Sequence, residues 1–264
     1  MEPESSCGES LKTAHPTCHG SNEKVIALAG NPNTGKSTLF NHLTGLKQHT
    51  GNWPGKTVIQ ATGHFRYAGQ PFTLVDLPGT YSLLAKSVEE EVARNFICFA
   101  QPDVTVVVAD AGCLERNLNL VLQIMEITPR MAVCVNLMDE ARRKNISVDT
   151  TRLSRELGVP VVGTAARKGE GIPELLEIIH KIAWGILQPR PKTICYPEAV
   201  EKAVTHLQPL LAEILDKKIS PRWVALRLLD GDESLLEALE ENLYPDIVRE
   251  LEVRLKNELQ LGTL

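Results

Sequence analysis

The residues with the clearest chemical potential form the pattern G-x-x-x-x-G-K-S at positions 30–37. An apolar run at 25–29 has the length of a buried strand, and a helical pattern follows from Thr38. Glycines let successive N–H groups point at one place, where the helix adds its positive dipole end. Lys36 supplies a full charge and Ser37 a hydroxyl ligand for Mg²⁺. A chance glycine-rich turn is the alternative, and the flanking strand and helix favour a phosphate-binding loop.

A second candidate is the carboxylate of Asp76, in the tetrapeptide Asp-Leu-Pro-Gly that ends at Gly79. It directly follows a predicted strand at 72–75. An acid at the carboxyl end of a strand, beside a phosphate loop, is suited to holding Mg²⁺. By itself, D-x-x-G is also typical of a simple turn. The metal interpretation is favoured because the motif follows the phosphate loop and stands at the end of a strand.

The third candidate is N-x-x-D, formed by Asn136 and Asp139 after a predicted strand at 131–135. A carboxylate accepts hydrogen bonds from both N1–H and the 2-amino group of guanine, and adenine has no such donor pair on that edge. The motif also recurs by chance, but in this order it predicts a guanine site. Small residues at 163–166 follow the next strand, where backbone N–H groups can approach the guanine carbonyl oxygen.

Composition limits the classes of function. The chain has 264 residues and a net charge of -5, so it lacks the basic surface typical of nucleic-acid binding. No apolar run approaches the ~20 residues that span a bilayer, and the N-terminus lacks a signal-peptide pattern. We therefore expect a soluble cytosolic piece. The scattered cysteines are expected to be reduced thiols; they are Cys7, Cys18, Cys98, Cys113, Cys134 and Cys195.

Residues 1–22 have almost no large apolar side chains and are predicted to be a flexible tail. The tail carries four residues of metal-ligating type, and their spacing fits no standard zinc pattern. We therefore favour the interpretation that these residues do not bind a metal ion. These residues are Cys7, His15, Cys18 and His19.

Strands and helices alternate along the chain, which predicts an α/β fold with a mostly parallel, six-stranded sheet flanked by helices. Strands are expected at 25–29, 58–67, 72–75, 104–109, 131–135 and 159–162, and helices at 38–46, 88–100, 114–127, 151–157, 172–184, 200–215, 221–229, 233–243 and 245–259. The two strands after the phosphate loop should form an antiparallel hairpin. Segment 48–57 contains glycine, proline and Trp53, and it is predicted to be a mobile loop with an exposed tryptophan.

Strand signals end at a proline-containing linker, 188–192. The expected organisation is a tail at 1–22, a nucleotide-binding α/β domain at 23–187 and a small all-α domain at 188–264. Pro209 should kink or break a helix of the last domain.

Together, the segments GNPNTGKSTLFN, TGNWPGKTV, DLPGTYSL and NLMDEAR resemble the cytosolic part of bacterial ferrous iron transporters of the FeoB family. The resemblance covers residues 24–264 and implies a P-loop GTPase fold followed by a helical domain similar to a GDP-dissociation inhibitor. It implies hydrolysis of GTP that regulates ferrous iron transport across the inner membrane. The partner would be the membrane-spanning permease portion of the same polypeptide, with no nucleic acid and with homo-oligomers through the membrane part as an option. The 264 residues are then expected to be the N-terminal soluble portion, at the cytoplasmic face.

The resemblance also implies roles for single residues. Lys36 would contact the outer phosphates and Gly79 would report the γ-phosphate, and both join Asn33 and Thr57 in catalysis. Mg²⁺ would be held by Ser37, Thr57 and, through water, Asp76. K⁺ would be held by Asn33 with the carbonyls of Gly51 and Trp53, and would replace an arginine finger. GTP or GDP would be bound by Gly30, Asn31, Pro32, Asn33, Thr34, Gly35, Lys36, Ser37, Thr38, Asn136, Asp139, Thr164, Ala165 and Ala166.

The sequence also departs from related patterns. Thr80 stands where Ras-like enzymes have a glutamine that positions water, so no general base is named and slow hydrolysis is expected. Ile59 stands where many relatives have a glutamate, which leaves a direct part of this loop in iron handling open. Two alternatives remain: a ribosome-assembly GTPase, although the C-terminal helices are acidic, and a nucleotide-sensing switch with incidental hydrolysis.

Overall fold

The computed structural model describes residues 23–46, 48–54, 56–215 and 219–242. Its centre is a seven-stranded sheet in the order β2-β3-β4-β1-β5-β6-β7. The strands are β1 (Lys24–Gly30), β2 (Gln48–Asn52), β3 (Ile59–Tyr67), β4 (Gln70–Asp76), β5 (Val104–Asp110), β6 (Met131–Asn136) and β7 (Val161–Gly163). Strands β4, β1, β5, β6 and β7 pair in parallel, whereas β2, β3 and β4 pair antiparallel. The predicted α/β fold is confirmed, with one strand more than expected.

The additional strand is β2, at the edge of the sheet. Segment 48–57 is predicted as a loop, and this is wrong for its first half, because Gln48 pairs with Gly63 and Asn52 with Ile59. An edge strand is held by backbone hydrogen bonds to one neighbour, so it does not need an alternating apolar pattern. The polar sequence of Gln48–Asn52 therefore carries no strand signal.

Helices cover both faces of the sheet. They are α1 (Lys36–Thr44), α2 (Val88–Asn95), α3 (Leu114–Ile127), α4 (Met138–Arg143), α5 (Thr150–Leu157), α6 (Ile172–Ala183), α7 (Glu198–Ile214), α8 (Pro221–Leu229) and α9 (Glu233–Asn242). A π-helical turn, Phe96–Ala100, continues α2. Of the predicted kink or break at Pro209, the break is wrong, because helix α7 continues through this residue. The helix predicted at 245–259 lies outside the described residues.

Alternation along β1 divides the core into two layers. Ile26 and Leu28 pack with Leu39 of α1 and Leu175 of α6 on one face. Ala27 and Ala29 point to the opposite face, which is covered by α2 and α3. Because β1 is buried on both faces, its sequence is a continuous apolar run. The loop after β1 is thereby fixed at the carboxyl edge of the sheet.

The C-terminal helices share the core on the α3 side. Trp223 of α8 and Leu235 of α9 belong to the same buried cluster as Leu120 of α3. A hydrogen bond of 2.7 Å from the Tyr196 hydroxyl to Glu126 Oε1 adds a polar contact to α3. Burial raises the pKa of the Glu126 carboxyl, and the Tyr196 hydrogen bond opposes that rise. Helices α7 to α9 are thus packed against the layer that carries α2.

The linker is also bound to the sheet domain. The Arg190 N–H donates to the Gly158 carbonyl at 3.0 Å, and the Lys192 N–H donates to the Leu157 carbonyl at 2.9 Å. Gly158 ends α5 in the left-handed region, and a Cβ atom there would stand 2.1 Å from the Arg190 carbonyl oxygen. Glycine is therefore required for the linker to lie along the end of α5.

Within the described residues, no helix combines the length and apolar composition needed to cross a bilayer. The four cysteines in this part of the chain are free thiols; Cys98 and Cys134 are buried, as expected of core thiols, whereas Cys113 and Cys195 are exposed, so a core position is wrong for these two.

Candidate functional site

The loop between β1 and α1 lines an open cleft of about 520 Å³ at the carboxyl edge of the sheet. Helix α1 begins directly after Gly35, which has no side chain to cap its first N–H groups. These donors and the helix dipole suit an anion such as phosphate. The cleft is lined by Asn31, Pro32, Asn33, Gly35, Lys36, Ser37, Thr38 and Gly79.

Two glycines allow the loop to pack this closely. A Cβ atom on Gly30 would stand 2.5 Å from the Val108 carbonyl oxygen of β5. Gly35 has a φ of +80°, and a Cβ atom there would stand 2.4 Å from Asn136 Nδ2. The glycines of the motif are therefore demanded by contacts of the loop with its neighbours as well as by backbone freedom.

Lys36 connects the phosphate loop to the Asp76–Gly79 loop. Its ammonium group is buried, 2.5 Å from Asp76 Oδ1, and donates to the Leu77 carbonyl at 2.6 Å. Burial raises the pKa of the Asp76 carboxyl, and the charge and hydrogen bond of Lys36 oppose that rise. The structure thus brings together the cation and the acid that two separate motifs predicted. Phosphate in the cleft would compete with Asp76 for the same ammonium group.

Asn136 joins three segments through one amide. Its Nδ2 donates to the Thr34 carbonyl in the phosphate loop at 3.0 Å. Its Oδ1 accepts from the Thr164 hydroxyl and from the Ala166 N–H, each at 3.0 Å. The side chain is 1% exposed, so it acts as a buried brace between the phosphate loop and the segment after β7.

Asp139 lies in the first turn of α4, with its carboxylate 3.3 Å from Lys168 Nζ. Desolvation raises the pKa of this carboxyl, but the hydrogen bond and charge of Lys168 and the N–H groups of Glu140 and Asp139 outweigh it and hold the pKa below its usual value. Asp139 is therefore ionised near neutral pH and able to accept two donors. Sequence reasoning missed Lys168, because nothing local signals that a short turn brings it to α4.

The predicted base-side residues are buried behind Asn136. Thr164, Ala165 and Ala166 are each at most 2% exposed. The Ala165 N–H donates to the Glu170 carbonyl, and the Ala166 N–H donates to Asn136. Both N–H groups predicted to approach the guanine carbonyl oxygen are thus already engaged within the protein.

Segment 53–58 differs most from expectation. Trp53 is predicted to be exposed, and this is wrong: it is 4% exposed and packs edge-on against Phe96, with ring centroids 5.3 Å apart. Its carbonyl accepts from the Lys56 N–H at 3.0 Å, and Lys56 Nζ lies 2.9 Å from Glu91 of α2. No local pattern predicts the contact with Phe96, which lies more than forty positions further along the chain.

The residues predicted for potassium and magnesium are only partly assembled. Of Asn33, Gly51 and Trp53, the described residues that line the cleft include Asn33 alone, with a left-handed φ of 66°. Gly51 pairs with Gln60 in the β2–β3 hairpin. Ser37 lines the cleft, whereas Thr57 is exposed and is not among the described cleft residues.

Gly79 and Thr80 close the cleft opposite the phosphate loop. A Cβ atom on Gly79 would stand 3.4 Å from Pro32 Cα, which shows how near the two loops lie. The Thr80 N–H donates to the Gly30 carbonyl at 3.3 Å, and Thr80 is 4% exposed. Thr80, which stands where Ras-like enzymes have a glutamine, is thus buried.

Comparison with known proteins identifies the family. Residues 24–179 match the family model described as ferrous iron transport protein B, and residues 196–261 match the model described as FeoB cytosolic helical domain. The chain belongs to the FeoB family. The Fe(2+) transporter FeoB of Escherichia coli (strain K12) is 39% identical over 221 residues, which cover 79% of this chain and 27% of the relative. The chain therefore spans about a quarter of the length of the curated FeoB proteins it matches.

Solved FeoB structures share the fold. The cytosolic domain of T. maritima FeoB in GDP form II has a TM-score of 0.76 at 38% identity, covering 84% of this chain and 87% of that chain. Its GMPPNP form has the same TM-score and identity, with coverage of 83% and 86%. The family models and the solved structures thus confirm the family and the fold class that the motifs predict.

Proposed function

We propose that the chain binds GTP in the cleft beside α1, hydrolyses it with Mg²⁺ and K⁺, and thereby regulates ferrous iron transport. The observation that carries this proposal is the Asn136 brace, because it makes the phosphate loop and the segment after β7 one unit. In such a unit, the phosphate loop would hold the phosphates of a ligand and the segment after β7 would hold its base. A nucleotide fits that description.

The proposal gives individual residues the following roles. Lys36 would leave Asp76 for the outer phosphates, and Asp139 would accept from N1–H and the 2-amino group of guanine. Gly79 would report the γ-phosphate. The nucleotide set is Gly30, Asn31, Pro32, Asn33, Thr34, Gly35, Lys36, Ser37, Thr38, Asn136, Asp139, Thr164, Ala165 and Ala166. Asn31 supports the assignment, since its side-chain amide is buried and has no partner within the described residues.

Mg²⁺ would be held by Ser37 and Thr57, with Asp76 through water. Hydroxyl and carboxylate oxygens are the hard ligands that this ion prefers, so the donor set fits. When bound, the ion neutralises charge that develops on the phosphate oxygens. Thr57 would have to move toward the cleft from its exposed position.

K⁺ would be held by Asn33 and by the carbonyls of Gly51 and Trp53. Asn33 supports this role, because its exposed side chain borders the cleft. The ion would supply positive charge during transfer, in place of an arginine. No general base is assigned, in keeping with the buried Thr80.

The FeoB relatives support a role in iron transport over ribosome assembly. The proteins matched are named Fe(2+) transporters, and two of the T. maritima structures are a GDP form and a GMPPNP form. We further propose the division into a tail at 1–22, a G domain at 23–187 and a helical domain at 188–264, on the cytoplasmic face of the inner membrane. The partner is the membrane-spanning portion of the longer polypeptide, through which homo-oligomers would form.

Calorimetry with GTP and ATP in the presence of Mg²⁺ tests the nucleotide. We expect GTP to bind and ATP not to, and Lys36→Ala to weaken GTP binding by at least tenfold, about 1.4 kcal/mol. Lys181→Ala, which removes an exposed ion pair with Glu177 on α6, serves as the control. Equal affinity for GTP and ATP would overturn the proposal. Single-turnover rates compared with GDP release rates then separate an enzyme from a sensing switch.

A further inference from the structure

Two histidines lie side by side on the exposed face of the sheet edge. His49 of β2 is paired with Thr62 of β3, so His64, two residues further along β3, is its diagonal neighbour on the same face. Their ring centroids are 6.3 Å apart, and both side chains are exposed. The nucleotide proposal uses neither residue.

His64 is held by a carboxylate. Its Nδ1 lies 2.9 Å from Glu23 Oε1 and 3.1 Å from the Thr73 hydroxyl. Because Nδ1 faces these two oxygens, Nε2 is the ring nitrogen that remains for an ion. Metal-bound histidines are commonly oriented by such a carboxylate.

We propose that His49 and His64 together bind a divalent first-row transition metal ion, with Glu23 orienting His64 from behind. Imidazole nitrogens suit Fe²⁺, Co²⁺, Ni²⁺ and Zn²⁺ and do not suit Mg²⁺. Two rings that share an ion through metal–nitrogen bonds of about 2.1 Å have centroids about 5 Å apart at a tetrahedral angle, and about 6.5 Å apart when the two nitrogens lie on opposite sides of the ion. The observed 6.3 Å is close to the second arrangement, and rotation of the two exposed side chains would bring the rings to the tetrahedral spacing.

Water completes the coordination. In the described part of the chain, no three His, Cys, Asp or Glu side chains are grouped to hold a metal ion. A two-histidine site with open positions exchanges its ion readily, which suits a sensor better than a structural site.

The site would act on the neighbouring loop. An ion shared by β2 and β3 fixes the edge strand that leads directly into Trp53 and the 56–58 segment. Metal binding would therefore lower hydrogen exchange at the β2 amides. A further effect on GTP turnover rests on the proposed function, whereas metal binding itself is measured without nucleotide.

The test is anaerobic titration with Co²⁺, followed by its absorption spectrum, and then with Fe²⁺. The background is the full chain with Cys7→Ser, His15→Ala, Cys18→Ser and His19→Ala, which removes the other ligating residues near the N-terminus. One ion per chain is expected. His49→Ala and His64→Ala should each abolish saturable binding, and Glu23→Gln should weaken it about 10- to 100-fold.

The control is His42→Ala on α1, which should bind as the background does. Binding that persists in the His49→Ala/His64→Ala double variant would overturn the proposal. Binding that disappears with the N-terminal background substitutions alone would also overturn it, because the ion would then belong to that segment. Loss of GTP binding with intact Co²⁺ binding would contradict only the proposed function.

Discussion

Arg94 Nη1 lies 3.2 Å from Asp232 Oδ2, and the two side chains are 0% and 8% exposed. Ser234 adds a hydroxyl at 2.8 Å and a carbonyl at 3.2 Å to the same guanidinium group. Arg94 belongs to α2, which follows the Asp76–Gly79 loop, and Asp232 precedes α9. A buried charge pair therefore joins the nucleotide-side helix to the C-terminal helices.

Asp232→Ala should strongly destabilise the fold. It leaves the Arg94 charge buried without a counter-ion, which lowers the free energy of unfolding by about 3–5 kcal/mol. The double variant Arg94→Leu/Asp232→Ala should lose less than the sum of the single variants, because no charge is left unpaired. Urea unfolding measures all three.

Asp230→Ala is the matched control, since Asp230 is 58% exposed and pairs with Arg227 at the surface. Its effect should stay within about 1 kcal/mol. An Asp232→Ala loss no larger than this would show that the Arg94 pair is not buried in solution.

Asp139→Asn should change the base that is recognised. An amide still accepts from N1–H, but it repels the 2-amino group of guanine and donates to the 2-oxo group of xanthine. We expect GTP affinity to fall about 10- to 100-fold, as for the loss of one charge-assisted hydrogen bond, and XTP affinity to rise. Calorimetry with both nucleotides measures this. Glu140→Gln, on the same helix, should leave the preference for GTP unchanged, and unaltered GTP affinity in Asp139→Asn would contradict the assignment.

Potassium should accelerate GTP turnover relative to sodium. Asn33→Ala should remove that difference, because the ion loses its side-chain ligand in the cleft. Phosphate release in KCl and in NaCl at equal ionic strength measures the ratio. Asn145→Ala, remote from the cleft lining, is the control and should keep the wild-type ratio. Equal rates for the unaltered chain in the two salts would contradict the potassium role.

Stability at acid pH should depend on Glu201. The side-chain hydrogen bond from Arg222 and the backbone N–H of Tyr196 lower the pKa of this carboxyl to about 2. Between that value and the ordinary glutamate pKa, the unfolded chain binds more protons, so this contribution is present above the ordinary value and is lost as pH falls. The difference in urea midpoint between the unaltered chain and Glu201→Gln should therefore shrink from neutral pH toward pH 2.

Glu198→Gln provides the comparison on the same helix, because its carboxylate is 82% exposed and pairs only with Lys202 among the described contacts. Its urea midpoint should follow the unaltered chain at every pH. A constant offset for Glu201→Gln across the whole range would contradict the assigned shift.

The sequence predicted the elements that depend on local signals. The strand, glycine loop and helix from 24 to 44 follow from a continuous apolar run, a motif and helical periodicity, and the fold class follows from their repetition. Helix α3 was predicted to its end residues for the same reason.

The remaining features depend on contacts between distant segments. The hydrogen bond from Asn136 to Thr34 joins residues 102 positions apart, and no local pattern encodes it. Trp53 looks like a loop residue among its neighbours, and only the approach of Phe96 buries it. The strand Gln48–Asn52 exists because β3 offers it a free edge.

The bound linker has a consequence for how the two halves move. The Gly158 and Leu157 carbonyls hold the Arg190 and Lys192 N–H groups, and Pro191 restricts the backbone between them, so the segment is a stiff connection. A rotation of the sheet would therefore also rotate the C-terminal helices. A reporter or spacer inserted at 188–192 would therefore break the two linker hydrogen bonds and let the helices turn independently of the sheet.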